Sequence, residues 1–200
     1  MIVFIMLGAL ILGIIYGISG IDISLINLIS SNTDIVLYLL MFFVGISVGM
    51  NKGLLSKMKD YQLKIFIIPF GVVVGSLLGG VVCSFILKLP LSYSMAIASG
   101  MGWYSLSSVT ISSLVNAEMG SIAFMSNLMR ELFSFMLIPI LSKYLNAYTC
   151  IASAGATSED TTLPLMLKYT NEEAVVLSVF SGVVVSLMVP ILISACLNFL

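Results

Sequence analysis

Five apolar runs divide this sequence, at Ile2–Ser19, Ile35–Met50, Ile65–Leu87, Ser121–Leu141 and Ala174–Phe199. Each approaches or exceeds the length a helix needs to cross about 30 Å of hydrocarbon. Lipid offers no hydrogen bonds, so every backbone N–H and C=O inside it must find a partner within the protein. Uninterrupted runs of this length meet that demand as helices. The chain therefore reads as an all-α integral membrane protein, a single polytopic domain over residues 1–200. Composition agrees: 60% of residues are hydrophobic and 8% charged, against about 25% charged in a soluble domain. A net charge of −1 with no basic patch argues against a nucleic-acid partner.

Two further stretches are long but broken, at about 92–115 and 150–167. The first contains Ala98-Ser-Gly-Met-Gly-Trp-Tyr-Ser105 and then a run of hydroxyl residues. The second contains Ala152-Ser-Ala-Gly-Ala-Thr-Ser-Glu-Asp-Thr-Thr-Leu-Pro164, small, polar and doubly acidic. Hydrocarbon disfavours both loose backbone and carboxylates, so these segments must be shielded by protein or line a water-filled cavity. In transporters, interrupted helices of this kind hold the substrate or the coupling ion. Ala98-Ser99-Gly100 and Ala152-Ser153-Ala154-Gly155 lie 54 positions apart (152 − 98), and each follows an unbroken helix. The expected architecture is about five spanning helices plus two broken, re-entrant hairpins arranged as an inverted repeat.

Lys52, Lys57, Lys59 and Lys64 cluster between the second and third runs, which places that loop in the cytoplasm. The Ser19–Asp34 loop then faces outward. With both broken segments re-entrant, the two hairpins approach from opposite faces and Lys143 falls on the cytoplasmic side. Gly71, Gly75 and Gly79 repeat every four residues, as do Gly13/Gly17 and Gly45/Gly49, a spacing suited to close helix packing. Ser178, Ser181, Gly182 and Ser186 form a similar stripe on the last helix. Cys83, Cys150 and Cys196 are widely spaced and read as packing residues, and no cofactor or metal is implied. The absence of histidine removes Ser-His and Cys-His nucleophiles and His proton relays, so an enzyme is not expected.

Few charges fall inside the apolar segments. Arg130 and Glu131 lie in the middle of the fourth run, where a charge should have both a function and a partner. Asn127, Glu131 and Ser134 share a helical face by i, i+4, i+7 spacing and suit the wall of a polar cavity. Asp160, with Glu159, is the candidate for meeting a cation, with Thr157, Ser158, Thr161 and Thr162 supplying hydroxyls. A carboxylate there can hold an ammonium group or take up a proton. Two structural roles compete with these: neutralisation of Asp160 or Glu159 by Arg130, and capping by Asp160 of a second half-helix that begins near Pro164. Trp103, Tyr104 and Ser105 sit in the first broken segment, where the adjacent aromatic pair suits stacking on an ammonium or simple anchoring.

Gly102-Trp-Tyr-Ser-Leu-Ser107, Ala117-Glu-Met-Gly-Ser-Ile-Ala-Phe124, Asn127-Leu-Met-Arg-Glu131 and Gly155-Ala-Thr-Ser-Glu-Asp-Thr-Thr-Leu-Pro164 resemble the bacterial lysine exporter family of the LysO type. Phe43-Val-Gly-Ile46 and Ser186-Leu-Met-Val-Pro190 fit as well, so the resemblance extends over essentially all of the chain. It implies export of L-lysine and its cationic analogues across the bacterial inner membrane, with Asp160 important for export. Glu159 stands where the family more often shows a neutral residue. The resemblance also implies a missing portion of about ninety residues, enough for about three spanning helices. A small separate membrane subunit or self-association would supply it.

The leading reading is a multi-pass secondary transporter of the inner membrane, exporting lysine against a proton or cation gradient. The alternative is a channel or regulatory subunit without coupled transport.

Overall fold

A helix that stops inside a protein leaves backbone groups that need new partners, and two such stops organise the described part of this protein. The computed structural model describes residues 66–199 continuously and, before them, residues 8, 12, 13, 15–20, 23, 24, 42 and 46. The run at Ile35–Met50, the lysine cluster between 52 and 64, and Asp22 and Asp34 lie outside the described residues, as does most of the first run. Contacts divide the chain into two compact units, Met1–Val44 and Gly45–Leu200. In the first unit residues 15–19 are helical, and the Ser19 hydroxyl donates to the Tyr16 carbonyl at 2.7 Å.

The second unit is helical throughout its described part. Helix α1 is Ile67–Leu87, α2 Leu91–Ala98, α3 Tyr104–Leu114, α4 Ala117–Tyr144, α5 Ala147–Ala154, α6 Leu163–Tyr169 and α7 Glu172–Phe199, with a 3-10 turn at Gly155–Glu159 between α5 and α6. Among the described residues three helices, α1, α4 and α7, are long and apolar enough to cross a membrane. They correspond to the third, fourth and fifth apolar runs. Helix α4 extends beyond its predicted ends because Asn116 caps it, accepting from the Met119 N–H at 2.9 Å. Asn146 and Asn171 start α5 and α7 in the same way, through the N–H groups of Thr149 and Ala174. These caps lengthen the second broken segment from the predicted 150–167 to 147–169.

Both broken segments run half-helix, break, half-helix. Each opens with eight helical residues, Leu91–Ala98 and Ala147–Ala154, about 12 Å or less than half a bilayer. The chain then turns through left-handed backbone, at Met101 (φ 47°) and Gly102 (φ 101°) in the first and Gly155 (φ 65°) in the second. Met101 and Gly155 are 54 positions apart (155 − 101), the offset of the sequence repeat.

The second segment returns to where it began. Helix α5 starts beside the C-terminal end of α4, and the Ser142 hydroxyl near that end donates to the carbonyl of Tyr169, the last residue of α6. The first segment does the same at the opposite end of α4. Phe66 meets Phe180 edge-on at 5.3 Å, and Ile68 packs into the cluster of Ile138, Cys150, Ile151 and Phe180. The start of α1 therefore sits near the C-terminal part of α4, and α2 begins at the other end of α1. Helix α2 folds back along α1, so closely that a Cβ on Gly80 would lie 2.9 Å from the Met95 Cα and 3.1 Å from the Ser94 carbonyl. Helix α3 then descends along α4 to Leu114, three residues before α4 starts. The two breaks meet in the middle, where the Ala156 N–H donates to the Met101 carbonyl at 2.9 Å.

The close contact that the spacing of Gly71, Gly75 and Gly79 predicts is not made with any described residue. Among the described residues nothing lies within 4 Å of a Cβ built at any of them, and the tight contact belongs to Gly80. Cys150 and Cys196 are buried as expected of packing residues, whereas Cys83 is exposed. Gly80→Leu should lower the apparent Tm of the detergent-solubilised protein by an overpacking cost of about 1–3 kcal/mol. Gly75→Ala should leave it unchanged. Equal effects of the two substitutions would contradict the packing described for α2.

Candidate functional site

Each break must replace the hydrogen bonds its interrupted helix has lost, and the side chains that do so define the site. In the first break the backbone tightens into three-residue turns, such as Gly100 N–H to Ile97 C=O and Met101 N–H to Ala98 C=O, both 3.2 Å. Asn127 on α4 supplies the rest. Its Oδ1 accepts from the Gly102 N–H at 2.9 Å, and its Nδ2 donates to the Ile97 carbonyl at 3.0 Å and to Ser107 Oγ at 3.3 Å. Asn127 is 2% exposed and is occupied in bracing the backbone.

Hydroxyl groups perform that task in the second break. Thr157 Oγ1 donates to the Ala154 carbonyl, and Thr162 Oγ1 to the Thr157 carbonyl, each at 2.9 Å. The Ser158 hydroxyl is shared between the carbonyls of Gly155 and Ser178, while Ser178 Oγ returns a bond of 2.6 Å to the Ser158 carbonyl. Ser134 on α4 reaches the Ser153 carbonyl at 2.7 Å. Gly155 is required twice: its φ of 65° disfavours a side chain, and a Cβ there would lie 2.5 Å from the Met101 oxygen. Thr157 and Ser158 are thus structural braces.

The charged residues have a different standing. Glu131 is 0% exposed, and neither of its carboxylate oxygens has a hydrogen-bond partner among the described residues. It lies within electrostatic reach of Asp160 and beside the Thr161 hydroxyl, which approaches both carboxylates without completing a hydrogen bond of good geometry to either. Tyr104, at the start of α3, faces both Glu131 and Asp160 electrostatically, and its ring meets Phe124 edge-on at 5.3 Å. Residues from both broken segments and from α4 therefore lie within electrostatic reach of one another as an acidic cluster, called here the acidic pocket. Asn127, Glu131 and Ser134 are all buried, as their shared face predicts.

Asp160 is exposed, and its Oδ1 accepts from the Thr161 N–H. It does not cap the second half-helix: α6 begins at Leu163 with Thr162 in the cap position, and Pro164 occupies its first turn as expected. Glu159 points the other way, taking a 2.8 Å bond from Ser186 Oγ on α7 and leaving its other oxygen buried and unpartnered. Its Cβ fits against Gly182. The serine stripe of α7, which suggested helix packing, also holds this break in place.

Arg130 forms no ion pair with Asp160 or Glu159, contrary to that expectation. Its only hydrogen bond among the described residues goes from Nη1 to Ser76 Oγ on α1 at 2.8 Å. Consecutive residues on a helix point about 100° apart, so Arg130 is turned away from the acidic pocket that Glu131 enters. Trp103 and Ser105 are half-buried where α3 begins, beside the pocket's Tyr104. Ser76 and Ser186 gave no signal in the sequence beyond being polar positions within small-residue stripes.

The sequence matches the family described as lysine exporter LysO over residues 7–197. This chain belongs to the lysine exporter LysO family. It is 37% identical over 187 residues to the lysine exporter LysO of Escherichia coli strain K12, an alignment covering 94% of this chain and 61% of that protein. It thus spans about three fifths of that relative's length. It is also 38% identical over 160 residues to a putative lysine exporter of Haemophilus influenzae, covering 79% of this chain and 80% of the relative. No solved structure matches the fold.

Within this LysO-family chain, loss of the Asn127 amide strands the Gly102 N–H in a dry interior, while the Ile97 carbonyl keeps its Gly100 donor. Asn127→Ala should therefore cost about 1–3 kcal/mol. The exposed cap change Asn116→Ala should cost about 1 kcal/mol. Thermal unfolding of the two variants in detergent compares them directly, and a loss at Asn127 no greater than at Asn116 would refute the bracing role.

Proposed function

We propose that this protein is a secondary transporter, or the larger part of one, that exports L-lysine and related cationic amino acids across the bacterial inner membrane. The observation that carries this reading is the fully buried Glu131 carboxylate, which has no counter-ion among the described residues and is approached by the Thr161 hydroxyl, with Asp160 nearby. An uncompensated carboxylate is not stable in a low-dielectric interior; it must bind a cation or a proton. Either occupant neutralises it, so a proton and the ammonium of lysine compete for the same oxygens. That competition is the elementary step of exchange: the substrate leaves as the proton arrives. Family membership and the names of the two relatives support lysine as the cation.

In this reading the broken segments are re-entrant hairpins that enter from opposite membrane faces. Their tips carry Tyr104 on one side and Thr161 and Asp160 on the other, with Glu131 between them. Trp103 lies at the rim, where its ring suits the aliphatic stem of the substrate. Movement of one tip against the other would open the acidic pocket to one face at a time. A further membrane subunit of about ninety residues, or a second copy of this chain, would complete the transporter; three helices is about the length in question.

Efflux of radiolabelled lysine from preloaded cells lacking the gene, complemented with each variant, tests the assignment. Glu131→Gln and Asp160→Asn should each reduce efflux at least about tenfold, the loss of one charge interaction of 1.4 kcal/mol or more. Ser113→Ala, remote from the pocket, should not. Efflux that is the same with and without the gene would end the exporter reading.

A further inference from the structure

Thr161 sits where the two carboxylates of the acidic pocket come together. It follows Asp160 directly, and its N–H already donates to Asp160 Oδ1. Its buried hydroxyl oxygen approaches the carboxylates of both Asp160 and Glu131 and completes a bond of good geometry with neither. One oxygen that close to both leaves the two carboxylates roughly 6 Å apart or less. Among the described residues no cation of this chain lies between them. Arg130 faces a separate groove between α1 and α4, where it donates to Ser76. The cluster is open at its Asp160 end, since Asp160 is exposed whereas Glu131 is fully buried.

A hydroxyl has one proton and two lone pairs. Thr161 can give that proton to only one carboxylate at a time, so it cannot satisfy two ionised groups. Its lone pairs suit a different visitor, one that brings both donors and positive charge. A primary ammonium has that form: three N–H groups on one nitrogen, each reaching about 2.7–2.9 Å to an ionised oxygen. Such a nitrogen spans the gap between the two carboxylates and still has a third donor to place. Glu131, Asp160 and Thr161 Oγ1 are three acceptors, one for each N–H.

We propose that Thr161 is a specificity-determining residue whose hydroxyl oxygen accepts the third N–H of a primary ammonium held between Glu131 and Asp160, so that the transporter prefers unmethylated amines to methylated ones. This rests on the exporter reading and adds to it the chemical class of the cation. A hydroxyl that only braced the tip would matter equally for every ligand.

Displacement of radiolabelled lysine from native membranes containing the full protein tests this, with unlabelled lysine, Nε-methyl-lysine and Nα-methyl-lysine as competitors. Each methylated form keeps its charges but has one N–H fewer at one nitrogen. Wild type should bind one of the two at least about tenfold more weakly than lysine, the worth of one charge-assisted hydrogen bond. That form identifies the ammonium held. Thr161→Val keeps the side chain's shape and removes the acceptor. It should weaken lysine about tenfold and leave that methylated form unchanged, so that the preference disappears. Thr161→Ser should keep the preference. If Thr161→Val binds nothing, Thr161→Ser decides: a retained preference supports the proposal and a lost one overturns it. A preference that survives Thr161→Val overturns it too, because the methyl group is then excluded by its size alone. Wild type that binds all three compounds alike overturns this inference alone, whereas wild type that binds no lysine overturns the exporter reading itself.

Discussion

The hydrogen bond from the Ala156 N–H to the Met101 carbonyl joins two helices that both stop inside the protein, and the rest of the structure makes that meeting tolerable. Met101 holds left-handed backbone at a cost of order 1–2 kcal/mol, because that conformation aims its carbonyl at the other break. Gly155 has no side chain because one would strike the same oxygen. Asn127, Ser134, Ser158 and Ser178 then absorb the backbone groups that the interrupted helices leave open. Nearly every buried polar side chain around the two tips is committed to this task.

The exceptions acquire meaning from that commitment. Glu131 is fully buried and has no cation beside it among the described residues, whereas Asn127, Ser134, Ser158 and Ser178 are all committed to backbone groups. The cost of an unpaired carboxylate is the driving force for taking up a cation. Arg130, one residue away and facing the other direction, presents the opposite charge to a separate groove. Glu131 and Arg130 thus place opposite charges on neighbouring positions of one helix, with the glycine turn at Gly155 beside Arg130.

Much of this arrangement was legible in the sequence. The breaks announced themselves through Gly100, Gly102 and Gly155, and the 54-residue offset between the Ala-Ser pairs matches the offset between Met101 and Gly155. Asp160 and Glu131 stood out because charges are rare in apolar runs. Their partners did not, since contact across helices depends on rotation and tilt that periodicity leaves open. Hence Arg130 reads as a natural partner for Asp160, yet it meets Ser76 on a helix 54 positions earlier (130 − 76). Among the described residues the tight contact of α1 is at Gly80, one residue outside the stripe of Gly71, Gly75 and Gly79, because helix rotation decides which small residue meets a neighbour.

The central claim is that the two breaks touch. Paired cysteines at Met101 and Ala156, in a chain whose Cys83, Cys150 and Cys196 are replaced by alanine, measure it in native membranes. Oxidation should link the Met101→Cys and Ala156→Cys pair as readily as a Ser134→Cys and Ser153→Cys control, seen after proteolysis between the two positions as fragments held together until reduction. Linkage of the control pair with none between positions 101 and 156 would contradict the account, because the two broken helices would then not meet.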